Sequence, residues 1–312
     1  MQKVASKLLW MVLIGCLAAI VVDLHADDLS VEVVVLPPLR VNGQPARAHT
    51  QGLEVQGGRY YVTARREDVR PKRALLLRTE PAGTNWDVWD ITPATPAAAT
   101  MALDHPGGMQ SDGKRLWIPI AESKPKSHSR LCAFPLDGMV AGQPLKPEFE
   151  FLFNDHIGAV AVAADHGLLI GANWDTESVY VWDLQGHLKR TLPGSALSIR
   201  GLGLAPDIDG GAGVAVQDWK SIGNRLYASG LSRASGPEAI SSRSRWLSFT
   251  NFLEPDFRGC AVVLPLQGRT ELGREAMAIA DGRIYFMPED LGGSNRLFHV
   301  LLADVLKQST TP

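Results

Sequence analysis

Short apolar runs broken by Gly, Asp and Asn set the rhythm of this chain. Arg59-Tyr60-Tyr61-Val62-Thr63, Arg115-Leu116-Trp117-Ile118, Leu168-Leu169-Ile170, Arg225-Leu226-Tyr227 and Arg283-Ile284-Tyr285-Phe286 each follow a tight-turn signal: Gly57-Gly58, Asp112-Gly113, His166-Gly167, Gly223-Asn224 and Asp281-Gly282. Ahead of each turn stands a second run that opens on polar and small residues. These openings are His49-Thr50-Gln51-Gly52-Leu53, His105-Pro106-Gly107-Gly108-Met109, His156-Ile157-Gly158-Ala159-Val160, Gln217-Asp218-Trp219 and Glu275-Ala276-Met277. Strand, tight turn, strand is the signature of a hairpin. Beyond the first 22 residues no segment holds a 3.6-residue apolar period over three turns, which excludes an α/β organisation and leaves an all-β chain.

Registered on Gly52, Gly108, Ala159, Asp218 and Ala276, the five copies recur roughly every 50 to 60 residues, a period that fits propeller blades of four strands better than solenoid repeats. Further strands are expected at 131–136, 148–153 and 179–184. The fourth unit is the least regular: 232–244 reads as a long loop, and its third and fourth strands find no clear place. After Ala276 there is room for only three strands, with 296–302 as the third. The run Val31-Glu32-Val33-Val34-Val35-Leu36 belongs to no other unit and is strongly β-forming. The expectation is therefore a five-bladed propeller over 27–312, with blade starts near 49, 105, 156, 215 and 273. The N-terminal strand would complete the last blade and so remove two exposed edges.

Composition adds compartment and excludes one class of partner. The 312 residues are 45% hydrophobic and 21% charged, with a net charge of -2. No basic run exceeds Arg65-Arg66 or Lys124-Pro125-Lys126, so nucleic acid is not expected as a partner. Lys3 and Lys7 precede an apolar stretch over 8–22 that ends at Asp23 and Leu24-His25-Ala26. This is the pattern of a secretory signal peptide over 1–26, and it predicts export to the periplasm or the cell exterior. Leu13-Ile14-Gly15-Cys16 offers a lipoprotein reading, with Cys16 as the lipidated residue, although the positions after it stay apolar. An uncleaved anchor is a third reading, and the stretch is short for a spanning helix. Cys132 and Cys260 remain after cleavage and are expected as buried free thiols in a monomer.

Antiparallel strands bring the start of each first strand and the end of each second strand to one mouth of the central channel. His49, His105 and His156 each stand three residues before a register position, a set suited to a divalent metal as cofactor. Glu275, Glu122 and His156 are candidate acid and base groups, with Glu289 beside them. His49, Gln51, Asn173, Trp174 and Gln217 are candidate substrate contacts. The structural alternatives are histidines that tie loop backbones together between blades, and carboxylates solvated at the rim. Asp207-Ile208-Asp209-Gly210 lacks the later ligands of a calcium loop and reads as a turn. Ser123-Lys124-Pro125-Lys126 has Ser-x-x-Lys spacing, but the Pro opposes the helical turn that pair needs.

Thr50-Gln51-Gly52-Leu53, Asp112-Gly113-Lys114-Arg115-Leu116 and Ala172-Asn173-Trp174-Asp175-Thr176 resemble motifs of the plant and bacterial type of glutaminyl cyclases, secreted five-bladed propellers. That resemblance covers about three units and implies cyclisation of N-terminal glutamine. The chain departs from it at His156-Ile157-Gly158-Ala159, where the cyclases carry an acidic residue. As a whole the chain more closely resembles a family of exported propeller-like proteins of unknown function, which implies the fold and no reaction. The functional expectation is a site for a small molecule or peptide end at the channel mouth, with hydrolase or cyclising acyltransferase chemistry. The alternative is a non-enzymatic module that binds protein or glycan through its outer loops, 232–244 among them.

Overall fold

The computed structural model describes residues 29–94, 101–194, 214–232, 244–250, 258–263, 266–267 and 270–309. The 1–26 leader with Cys16, the 207–210 turn and the body of the 232–244 loop lie outside these residues.

The described chain is all-β and propeller-like, closed off by one short helix. It begins with β1 (Glu32–Leu36) and a small hairpin of β2 (Arg40–Val41) and β3 (Gln44–Pro45). Next comes a meander of β4 (Ala48–Gln56), β5 (Arg59–Arg66), β6 (Arg73–Thr79) and β7 (Asp87–Asp90). The second sheet holds β8 (Leu103–Pro106), β9 (Gln110–Ser111), β10 (Arg115–Glu122), β11 (Ser129–Pro135) and β12 (Phe149–Phe153). The third is β13 (Ile157–Ala163), β14 (Leu168–Asn173), β15 (Ser178–Asp183) and β16 (Leu188–Pro193). The fourth is β17 (Val214–Ile222), β18 (Arg225–Ser232), β19 (Ser244–Thr250) and β20 (Arg258–Val263), followed by the hairpin β21 (Leu266–Gln267) and β22 (Thr270–Glu271). The last sheet is β23 (Ala276–Ala280), β24 (Arg283–Met287) and β25 (Asn295–Leu301), and the chain then enters α1 (Leu302–Ser309).

β1 is the fourth strand of that last sheet, antiparallel to β25 with Val34 opposite Leu297. Leu36, at the end of β1, packs in one cluster with Leu53, Val62 and Leu75 of the first sheet and Met287 and Leu297 of the last. The Trp86 indole N–H reaches the Pro37 carbonyl at 2.8 Å and anchors the same segment. Similar clusters fill the spaces between the other described sheets, as period-2 alternation delivers apolar side chains to both faces of each blade.

Five units of four strands were expected, and four sheets follow that plan. The second does not: it has five strands, because its inner strand breaks at Gly107 and Gly108 and both β8 and β9 pair with β10. At the break the backbone leaves its own sheet for the next one. Gly108 N–H donates to Gly158 O at 2.9 Å and Val160 N–H to Gly108 O at 3.0 Å. A Cβ at Gly107 would stand 2.1 Å from Gly158 O, so the approach requires glycine there.

Two further departures are local. The 296–302 strand stops at Leu301, and Leu302 starts α1, whose Val305 is buried against the last sheet. The strands missing from the fourth unit are β19 and β20. Cys132 is a buried free thiol, pushed well up in pKa by burial and then by the Glu150 carboxylate. Cys260 stands on β20 opposite Ser248. Among the described residues no helix is long and apolar enough to cross a membrane.

Candidate functional site

Three of the inner strands carry a β-bulge at the same place. Register shifts between Thr50 and Gly52, Ile157 and Ala159, and Val216 and Asp218 leave Gln51, Gly158 and Gln217 as the extra residues. A bulge re-aims the side chain it carries, and here it turns that position away from the sheet ladder at one end of the inner strands. Glu275 holds the equivalent place directly before β23. The repeated polar-small opening of the sequence is thus a structural device that also sets up a rim of functional groups.

Two histidines meet at this rim. The rings of His105 and His156 are 5.3 Å apart and edge-on, and Trp174 stands 4.5 Å from His156 and 6.3 Å from His105. His156 donates from Nδ1 to the Glu122 carbonyl at 2.7 Å, which leaves its Nε2 as an acceptor. His105 Nε2 lies 2.9 Å from Gln51 Oε1, so with the amide oxygen facing it this nitrogen carries the proton. His105 Nδ1 is then a bare lone pair, and it is buried without a hydrogen-bond partner among the described residues. Burial holds His105 well below the usual histidine range, and the positive charge of Arg65 and the neighbouring imidazoles add to the effect. His156 is lowered too, by burial against the opposing effect of its backbone hydrogen bonds. Both rings are neutral at pH 7, and each offers an acceptor nitrogen.

Beside them, His49 Nδ1 is bonded to Asp290 Oδ1 at 2.6 Å. That hydrogen bond raises the His49 pKa against the lowering effect of burial, with further help from the Glu275 and Asp290 charges. Glu275 is buried, and burial pushes it up to about 7 although His49 and Arg274 pull it down. Its nearest charged partner, Arg274 Nε, is 3.4 Å away. The Trp174 loop that covers the cluster is strained: Asp175 and Thr176 take left-handed backbone angles, φ 64° and 57°.

Other expected members of the site are committed elsewhere. The Glu122 carboxylate turns into its own β10–β11 loop, where it accepts from His128 N–H and His128 Nδ1 and pairs with Lys124 at 3.2 Å. Burial pushes Glu122 up, but these contacts together bring it below the usual range, so it is no general acid at neutral pH. Glu289 is held by Arg296 Nε at 3.0 Å. Asn173 donates to Asp155 at 2.9 Å and accepts from Ser178 N–H, which makes it a brace of the Trp174 loop. Gln217 is half-buried, and among the described residues no side-chain hydrogen bond joins it to the histidines. The expected metal set of His49, His105 and His156 is not formed. Among the described residues no three His, Cys, Asp or Glu side chains converge as a metal ion requires. Each ring is anchored to a different partner, Asp290, Gln51 or the Glu122 carbonyl, and the three do not come together as one ligand set among the described residues.

Deeper in the channel lies a polar brace that sequence reasoning did not single out. Lys220 is fully buried and donates from Nζ to Asp218 Oδ1 and to Met109 O, both at 2.6 Å. Asp218 Oδ2 accepts the N–H groups of Leu53 and Met277 at 3.0 Å, so one carboxylate ties the inner strands β4, β17 and β23 together. Burial pushes Asp218 up to about 6, while the Lys220 ammonium and these donors pull it down and favour the ionised form. Gln110 accepts from Val162 and Ser221 and donates back to Ser221 O. The available signal was Lys220, two residues after Asp218 in a strand and therefore on the same face.

A family model described as a family of unknown function (DUF6454) matches residues 44–241, more than half of the chain. The chain belongs to that family. No curated protein matches it. Among solved structures, a GH43 endo-arabinanase from Bacillus licheniformis is similar at 10% identity and a TM-score of 0.51, covering 85% of this chain and 96% of that one. A Bacillus subtilis arabinanase is similar at 11% identity and 0.50, with 81% and 95% covered. A Trypanosoma rangeli sialidase follows at 12% and 0.49, with 84% of this chain and 46% of that one covered. At such identities the likeness speaks for the propeller-like fold alone. Membership rests on the family match, and the glutaminyl cyclase resemblance stays confined to its short motifs.

Proposed function

We propose that the mouth formed by the bulged inner strands is a binding site for a small molecule or peptide end that presents O–H or N–H donors. We propose further that it carries hydrolase-type acid–base chemistry. The observation that carries this reading is the His105 Nδ1 lone pair, buried beside Trp174 and His156 with no partner among the described residues. A buried acceptor costs free energy unless something donates to it. The ligand is taken to donate there and at His156 Nε2 while an apolar face rests on Trp174. Glu275, near half-protonated at neutral pH, acts as the acid, and the His49–Asp290 pair serves as base or as counter-charge.

The same reading takes the five-stranded second sheet as a blade like the others, so that five blades surround the channel and the pairing of β1 with β25 closes the ring. It also takes residues 1–26 as an export signal, which places the site outside the cytoplasm.

The test is a thermal-shift and hydrolysis screen with monosaccharides, nitrophenyl glycosides and short peptides that begin with Gln. A hit should lose its stabilising effect in His105→Ala and Trp174→Ala, and turnover should fall by about a hundredfold or more in Glu275→Gln. Hits that survive both binding-site variants would sink the proposal.

A further inference from the structure

A second cavity opens at the other end of the channel, on the far side of the Asp218–Lys220 brace from the histidines. It has a volume of about 440 Å³ and lies among the β4–β5 turn, β9, the end of β17 and the β23–β24 turn. Four inner-strand regions therefore contribute to it, and neither the family match nor the chemistry of the mouth assigns it any role.

Its charges do not balance. Glu54 lines the cavity and is buried at 6% exposure, and Oε2 accepts the Ser111 N–H at 3.2 Å. The cation lining the same space is Lys220, whose ammonium is committed to Asp218 and to two backbone carbonyls. Asp281 adds a further carboxylate at the rim. Glu54 thus has the field of Lys220 but no ion pair of its own among the described residues, a condition that a proton or a cation relieves. Burial raises Glu54 to about 7, although the Lys220 charge and the Ser111 and Val55 amides pull it down. Exposed Ile222 and half-buried Ile279 add apolar surface to a lining that is otherwise largely polar. A carboxylate with apolar surface beside it, where among the described residues no three His, Cys, Asp or Glu side chains converge, suits an organic ammonium group.

We propose that this cavity is a second binding site, selective for a small organic ammonium ion, whose charged head pairs with Glu54 and whose alkyl part lies on Ile222 and Ile279. It is independent of the site at the mouth.

The probe is n-butylammonium chloride, titrated into the full-length protein and followed by backbone amide NMR, with n-butanol and potassium chloride as controls. Saturable shifts are expected at the amides of Gly57, Gly58 and Ser111 with butylammonium and with neither control. Glu54→Gln should weaken binding by roughly tenfold or more, the loss of about one charge-assisted contact. Ile222→Arg, at an exposed rim position, places a positive charge at the entrance without touching the core and should weaken it similarly. Equal binding of butanol, binding unchanged in folded Ile222→Arg, or an absence of shifts at these amides with butylammonium would each overturn the proposal.

Discussion

At the scale of single residues, the mouth sorts its histidines by what each one touches. His105 and His156 see burial and other imidazoles and are driven neutral, while His49 sees Asp290 and is driven toward the charged form. Sequence spacing made the three equivalent, and one hydrogen bond separates them. Replacing Asp290 by Asn removes the charge and leaves the shape. The His49 pKa is then expected to fall, as its burial is no longer opposed by that carboxylate, while His105 keeps its low value. Imidazole titration by NMR checks both. A group whose pKa is raised in the folded state adds stability below its unfolded pKa, and that stability is lost as pH rises through the folded value. Asp290→Asn should therefore cost stability mainly between the titration of Asp290 and that of His49, and the cost should fade as pH rises through the raised His49 value. The side chains are 30% and 57% exposed, so the cost should stay under about 1 kcal/mol. Unchanged His49 titration in the variant would show that the pair does not set its charge.

At the scale of elements, the inner strands are held close enough to exclude side chains at chosen points. A Cβ at Gly108 would lie 2.6 Å from Gln217 O and 2.8 Å from Asp218 Cα, where β17 crosses the break in the second sheet. Because those atoms are backbone and a fully buried carboxylate, nothing nearby can swing aside. Gly108→Ala is expected to cost about 2 kcal/mol or more, read as a lower midpoint in urea at unchanged slope. The corresponding change at Gly113, a left-handed turn glycine with open space around it, carries only the conformational penalty and should cost less. Hairpins, the blade register and the fate of the Val-rich N-terminal strand were legible in the sequence because each rests on local alternation and turn chemistry. The split of the second inner strand was not, since it arises where Gly108 bonds to Gly158 and Val160 in another unit and Gly107 lies against the Gly158 carbonyl. The same limit applied to the site. His49, Gln51, His105, His156, Trp174 and Glu275 were legible as a rim, whereas Glu122 and Asn173 were diverted by loop partners at His128, Asp155 and Ser178 that no strand pattern predicts.

At the scale of the whole molecule, the channel is a polar interior filled by Asp218, Lys220, Gln110 and Glu54, and the four differ in how well they are satisfied. Asp218 and Lys220 hold each other and bond to several strands, and Gln110 uses both ends of its amide. Glu54 has the Lys220 charge and the Ser111 and Val55 amides in its favour but no ion pair of its own among the described residues, and Asp218 opposes it. Its pKa of about 7 against an unperturbed 4.5 has a definite consequence for stability. Below about pH 4.5 the group is protonated in both states and contributes no pH dependence. Between 4.5 and 7 the unfolded chain gives up the proton first, so the free energy of unfolding falls as pH rises, and above 7 the loss is complete. Glu54→Gln keeps the shape and cannot ionise. It should match the parent near pH 4.5 and exceed it at pH 8 by an amount of order 1 to 3 kcal/mol, with a flatter stability profile in between, as urea titrations across that range would measure. Equal profiles would mean that Glu54 is compensated in the folded protein. The expected sign also bears on why a carboxylate stands there at all: a residue that lowers stability at neutral pH while forming one wall of a cavity fits a binding role better than a folding role.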